Sequence, residues 1–222
     1  MIAFSKKGVT LGGWIPAQPS LVIYIIASPI PEAEAKRLSE TYHAALFFIG
    51  APDWNRQLTP WPAPAVFRGQ EDFSGGADGF LTLLAEEIFP AAERSLPCPL
   101  PRSLCGISLG GLFALYSACQ CDLFSSAASI SGSLWYDRFL PFLESHLLSK
   151  KIKRVYLSLG TKEKHARNNS MARVEENTRA AYQIFLRQPM ETRFEMNPGG
   201  HFADPVPRLE RAFAFLSGKV PE

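Results

Sequence analysis

Leu21-Val-Ile-Tyr-Ile-Ile-Ala27 is an almost unbroken β-branched and aromatic run. That is the pattern of a strand covered on both faces, as in a parallel sheet. Pro31 to Tyr42 opens with Pro-Glu and predicts a helix, and Ala44-Ala-Leu-Phe-Phe-Ile49, closed by Gly50, predicts the next strand. Strand, helix and strand make a βαβ unit. A Pro- and Trp-rich loop from Ala51 to Gly76 follows, after which Phe80, Leu83, Leu84 and Ile88 recur at helical spacing between Ala77 and Glu93. Further strands are predicted at Ser103–Ile107, Ala127–Ile130, Arg154–Leu159 and Thr192–Met196. Apolar helical stripes pass through Leu112 to Tyr116, Phe139 to Leu148, Val174 to Leu186 and Leu209 to Leu216. Six strands alternating with helices predict a doubly wound, mostly parallel α/β sheet with helices on both faces and right-handed crossovers. No repeat or linker divides residues 1–222, which read as a single domain.

Composition narrows the function. Hydrophobic residues make up 46% of the 222, enough for a sizeable core. With 23 basic against 21 acidic residues and no long run of one sign, the charge balance argues against a dedicated electrostatic binder of nucleic acid. The run Leu21–Ala27 is too short to span a bilayer. It also lies too deep, without a basic flank or small-residue cleavage site, to be a secretion signal. The expectation is a cytoplasmic protein with no membrane partner. Cys98, Cys105, Cys119 and Cys121 form no CxxC pair and have no His-rich partner segment, so neither a zinc site nor a disulfide framework is expected.

The chemistry gathers around Gly106-Ile-Ser108-Leu-Gly110. The string alone is weak, but its context is specific: it follows a predicted buried strand and opens a predicted helix. Such a strand-to-helix turn presents a serine at the top of a sheet, and a side chain two residues before or after the serine would crowd it. A phosphate loop would want Gly-Lys-Ser/Thr, which is absent.

A serine hydroxyl needs a general base and a group to orient that base. His43 precedes a strand at the opposite end of the sheet, His146 sits in an amphipathic helix, and His165 lies in a charged loop. His201 follows Asn197-Pro-Gly-Gly200 directly after the last strand, at the edge where open α/β sheets place ligands. His201 is therefore the candidate base. The acid is expected between serine and histidine in chain order. Glu163, just after the strand Arg154–Leu159, is the candidate; Asp204, Glu175 and Glu176 are its competitors.

An oxyanion hole needs two backbone N–H donors. The Leu109 amide, next to the serine, is one, and the loop after Ile49 is expected to supply the other from Asp53 or Trp54, since Pro52 has no N–H. Trp54, Trp61 and Trp135 fall in loops at the same edge, either to hold an acyl or aromatic group or to pack in the core. No metal ligand set is evident.

Taken together, Asp53-Trp-Asn-Arg-Gln-Leu-Thr-Pro60, Gly75-Gly-Ala-Asp-Gly-Phe-Leu81, Glu86-Glu-Ile-Phe-Pro90, Gly106–Gly111, Ser131-Gly-Ser-Leu-Trp135, Leu159-Gly-Thr-Lys-Glu163 and Gly199-Gly-His201 resemble the esterase D and enterochelin esterase branch of the α/β-hydrolases. The resemblance implies a carboxylic ester hydrolase with Ser108 as nucleophile, His201 as base and Glu163 as acid. It implies an acyl-enzyme, a small-molecule ester partner, and no metal or organic cofactor. The ester is expected to be small, aromatic or siderophore-like, with Trp54, Arg56, Trp135 and Arg167 as binding residues; Arg68 is a further cation suited to an anionic substrate. Family members usually begin with additional strands, so Gly12-Gly-Trp-Ile-Pro16 close before Leu21 suggests a shortened N-terminal edge that is open to pairing in a homodimer. No cap domain is expected. Two other functions fit the same residues: acyl transfer from the same acyl-enzyme to an alcohol or amine, and a non-catalytic binding module on the hydrolase fold.

Overall fold

The computed structural model describes residues 2–66, 69–166 and 168–219. Arg68 and Arg167 lie outside the described residues. In chain order the elements are β1 (Ile2–Lys6), β2 (Val9–Trp14), β3 (Leu21–Ile26), α1 (Glu32–Tyr42), β4 (Ala44–Gly50), α2 (Trp54–Gln57), β5 (Pro62–Ala63), β6 (Phe73–Ser74) and α3 (Ala77–Leu83). A π turn over Leu84–Ile88 joins α3 to α4 (Phe89–Glu93). Then come β7 (Arg102–Ile107), α5 (Leu109–Gln120), β8 (Ser126–Ile130), α6 (Phe139–Ser145), β9 (Arg154–Gly160), a 3₁₀ turn (Glu163–His165), α7 (Asn169–Ala172), α8 (Val174–Leu186), β10 (Glu191–Asn197) and α9 (Pro205–Ser217). The π turn sits just before Pro90, which has no N–H to give to an ordinary helical bond, and the wider turn absorbs the mismatch.

All six expected strands are present, and the main sheet has eight, in the order β1-β2-β4-β3-β7-β8-β9-β10. From β4 to β10 neighbouring strands are parallel, whereas β1 and β2 are antiparallel to their neighbours. The shortened N-terminal edge is therefore corrected: residues 2–14 form a hairpin that extends the sheet beyond β4. Its turn is Lys7-Gly8, both with positive φ (49° and 79°), the geometry that matches strand twist in a two-residue hairpin. Val9 and Leu11 alternate inward from β2, and its Gly13 lies so close to β4 that a Cβ there would meet the Leu46 carbonyl at 2.4 Å.

Two cores cover the two faces. The larger lies under α3, α4, α5, α6 and α8, the smaller under α1 and α9. Leu109 through Ala118 of α5 are all buried, because this helix is enclosed between the sheet and neighbouring helices.

Strand order decides where chemistry sits. From β3 the chain moves outward to β4, then returns to place β7 on the other side of β3. Open sheets bind ligands at such a reversal, beyond the carboxyl ends of the two strands. The residue that ends β7 at that point is followed directly by Ser108. The backbone turns there so sharply that a Cβ on Gly106 would lie 2.1 Å from the Gly110 carbonyl carbon, and one on Gly110 would lie 2.3 Å from the Ile26 carbonyl oxygen. Neither crowding can be relieved by a side-chain rotation, since the obstructing atoms are backbone. Gly106→Ala is expected to lower stability by about 1–3 kcal/mol, read as an earlier urea midpoint; an unchanged midpoint would mean that the crossing is looser than described.

Candidate active site

The ends of four adjacent strands, β7 to β10, deliver the site. Ser108 follows β7 with φ 59° and ψ −124°, a left-handed conformation that a serine adopts only when its surroundings force it. Its N–H donates to the Ile130 carbonyl at 3.1 Å, and its own carbonyl accepts from the Gly111, Leu112 and Ser133 amides at 3.0–3.1 Å. The backbone on both sides is thus pinned, and the hydroxyl projects into the crevice.

His201 lies past the end of β10, in the loop before α9. Its Nε2 is 3.1 Å from Ser108 Oγ, and its Nδ1 is 2.8 Å from Glu163 Oε2. Glu163 enters on the 3₁₀ turn after β9 and is buried. Its second oxygen, Oε1, accepts from Ser131 Oγ and from the Gly160 amide, each at 2.6 Å. Burial by itself would raise this carboxyl, but the hydrogen bonds from His201, Ser131 and Gly160 outweigh it and hold Glu163 below the usual carboxylate value. A carboxylate that is charged and facing Nδ1 fixes the imidazole with its proton on Nδ1 and its lone pair on Nε2, toward the serine.

Sequence reasoning missed the layer behind this chain. Arg208 of α9 is 3% exposed and donates from Nη1 to Ser131 Oγ at 2.8 Å. Its Nη2 donates to the carbonyls of Pro198 (3.2 Å) and Gly200 (2.8 Å), in the loop that carries His201. Nη1 also stands 3.6 Å from Glu163 Oε1. One guanidinium therefore braces the acid and the histidine loop together. A signal was present: Arg208, Ala212 and Leu216 share a helical face that is otherwise buried and apolar, and a cation at such a position needs partners.

The other expected residues separate. Asp204 is exposed, at φ 41° ahead of α9, and has no bond to His201. Glu175 pairs with Arg179 and Lys164, and Glu176 with Arg173. His43 ends α1, His146 stacks on Phe142, and His165 lines a cavity that Ser108 and His201 also line. Asp53 is corrected as an oxyanion donor: its amide donates to Gln57 Oε1 at 3.1 Å while its side chain caps α2. β3, not β4, is the neighbour of β7, so the loop after β3 also borders the serine; Ser28 and Trp54 both line a cavity of about 290 Å³ with Ser108. Leu109 opens α5, where an amide has no intrahelical partner. Arg56 is exposed, pairs with Asp53 at 3.5 Å and lines neither cavity at the serine.

A larger cavity of about 460 Å³ opens on the other side of Ser108 and His201. Phe73, Trp135, Met171 and Val174 make its walls apolar, with Lys162 at the rim. Trp61 belongs instead to an aromatic cluster with Tyr116, Tyr136, Phe139 and Phe142. Phe202, 93% exposed, stands edge-on to the His201 ring at 4.9 Å and borders both cavities. Among the described residues no three His, Cys, Asp or Glu side chains are grouped to hold a metal ion, and no helix is long and apolar enough to cross a membrane.

The strand order, the left-handed serine between β7 and α5, and the histidine beyond the last strand together define an α/β-hydrolase fold. Solved structures share it over nearly the whole chain. The siderophore hydrolase EstA from Aspergillus nidulans has a TM-score of 0.75 at 20% identity, covering 98% of this chain and 94% of that one. The enterobactin hydrolase IroE in complex with DFP has a TM-score of 0.68 at 22% identity, covering 95% and 89%. The family described as "Putative esterase" matches residues 28–204, and the chain belongs to it. "Uncharacterized protein YbbA" of Bacillus subtilis (strain 168) is 28% identical over 144 residues, a match that takes in 62% of this chain and 58% of that protein's length.

The lowered Glu163 value has a consequence for stability. The unfolded chain takes up the proton at the ordinary glutamate value, and the folded protein only at a lower pH. The contribution of the charged group is therefore complete above that ordinary value, about 4.3, and is lost as pH falls through the lowered folded value. The difference in unfolding free energy between wild type and Glu163→Gln should thus narrow on acidification; a difference that stays constant from neutral pH down into the acid range would contradict the bonded carboxylate.

Proposed function

We propose that the protein is a serine carboxylic ester hydrolase acting through an acyl-enzyme on Ser108, with a small, aromatic or siderophore-like ester as substrate. The observation that carries this reading is the continuous chain Ser108 Oγ, His201 Nε2, His201 Nδ1, Glu163 Oε2, at 3.1 and 2.8 Å, set in a cavity with apolar walls. Membership of the esterase family supports ester hydrolysis, and the siderophore hydrolases that share the fold support the substrate class.

In this reading Ser108 Oγ attacks the ester carbonyl carbon while His201 Nε2 takes its proton. The carbonyl oxygen becomes an oxyanion that accepts from the Leu109 amide and from a second amide, at Ser28 or Trp54. Collapse breaks the bond to the alcohol oxygen, which leaves with the proton from Nε2. A water then attacks the acyl carbon, gives its proton to Nε2, and the acid departs as Ser108 Oγ recovers that proton. Glu163 keeps Nδ1 protonated throughout and lowers the energy of the imidazolium formed in each half.

With p-nitrophenyl acetate, Ser108→Ala is expected to lose at least about a thousandfold in kcat, and Glu163→Gln about a hundredfold or more. Asp204→Asn should stay within about twofold of wild type, because nothing joins Asp204 to His201. Comparable turnover by Ser108→Ala would sink the proposal, and a large loss in Asp204→Asn would move the acid.

A further inference from the structure

The catalytic cavity does not end at its apolar wall. Val66, Phe73 and Trp135 line both it and a second cavity, of about 730 Å³. The second chamber is larger than the first and differs in chemistry. Its lining includes Arg138 and Arg173 with one carboxylate, Asp137, and the amide side chains of Asn168 and Asn177.

The chamber's walls are tied across the chain rather than left to loop motion. Asn168 Nδ2 donates to the Val66 carbonyl at 2.6 Å, joining the start of α7 to the segment after β5. Asn177 Nδ2 of α8 donates to the Leu134 carbonyl at 2.8 Å, and Trp61 Nε1 donates to the Asp137 carbonyl at 2.9 Å. Tyr136, itself buried, returns a bond from its hydroxyl to the Trp61 carbonyl at 2.5 Å. A cavity held by such bonds is formed before a ligand arrives, which reduces the ordering cost of binding.

Both arginines are incompletely used. Arg138 commits its Nε to Asp137 Oδ2 at 3.1 Å, and the Arg173 Nε stands 3.5 Å from Glu176 Oε2. These are exposed pairs, which contribute little and exchange readily. Among the described residues neither guanidinium has a hydrogen bond from its terminal nitrogens, the edge that grips a carboxylate in a two-pronged fashion.

We infer that this second chamber is a distal substrate subsite, so that the preferred ester carries an anionic group, such as a carboxylate, at the end remote from the scissile bond. This rests on the serine-esterase reading above. The apolar stem lies along Phe73 and Trp135, which line both cavities, and the charge reaches Arg138 and Arg173. The chamber then acts on specificity, while the bond-breaking steps stay at Ser108.

The test compares p-nitrophenyl half-esters of adipate, suberate and sebacate with uncharged p-nitrophenyl esters of matched length. At the length that spans the wall, kcat/KM for the half-ester should exceed that for the neutral ester by about tenfold, and the preference should shrink with added salt. Arg138→Asn combined with Arg173→Gln should bring the ratio close to one; asparagine suits the left-handed φ of 57° at position 138. Equal rates for both ester types at every length, with no response of the ratio to the substitutions, would overturn the subsite while leaving the esterase reading intact. If neither type is turned over, the esterase reading fails, and calorimetric binding to the wild-type protein decides for the chamber. There, a half-ester bound no more tightly than its neutral counterpart overturns the assignment.

Discussion

A carboxylate withdrawn from water must be hydrogen-bonded on every side, and the need to satisfy Glu163 organises this molecule. Its partners come from different strand ends: the Gly160 amide at the end of β9, Ser131 after β8 and His201 after β10. Arg208 reaches up from α9 to the same group and to the carbonyls on either side of Gly199. No room is spare at the centre, since a Cβ on Gly160 would meet Glu163 Oε1 at 2.8 Å and Arg208 Nη2 at 2.9 Å. Satisfying the buried charge therefore fixes the spacing of three strand ends and one helix, and the orientation of His201 follows from it.

The serine side of the site is set by packing instead of charge. α5 begins against β3 and β7 so closely that glycine is required where the backbones cross, and the left-handed Ser108 is the strained residue between those crossings. A rigid hydroxyl on one side and a rigid imidazole on the other meet across the switch in strand order. The hydroxyl and the imidazole already stand within hydrogen-bond distance, at 3.1 Å. What varies outward from that point is the wall: apolar at Phe73 and Trp135, then polar and cationic beyond them.

Much of this was legible along the chain. β3 reads as a continuous β-branched and aromatic run and β4 as an apolar one, while β7 to β9 are buried runs of small and apolar residues bounded by turns and β10 is a half-buried edge strand; all six are legible within a residue or two, and with them the turn at Ser108 and the positions of Glu163 and His201 at strand ends. The hairpin of β1 and β2 is not. Its inward face is carried by Val9, Leu11 and Gly13, and Gly12-Gly13 reads as a loop until one sees that the missing Cβ at Gly13 admits the Leu46 carbonyl. Its Lys7-Gly8 turn also lacks the Asn-Gly or Asp-Gly pair that marks most two-residue hairpins. The loop after β4, expected to supply the second oxyanion donor, shares its place with another: β3 is the neighbour of β7, and Ser28, which follows it, lines the same cavity as Trp54. Arg208 is only faintly legible, through its place on a buried helical face: its hydrogen bonds go to backbone carbonyls and a serine, and its one carboxylate neighbour, Glu163, lies far away along the chain.

The central claim is that Ser108 is an activated nucleophile. Treating the folded protein with a fluorophosphonate and mapping the modified peptide tests it most directly, because the reagent reacts with the hydroxyl that the imidazole deprotonates. The structure predicts a single covalent adduct on Ser108, lost in His201→Ala; a folded sample that stays unlabelled, or labels elsewhere, would contradict the account.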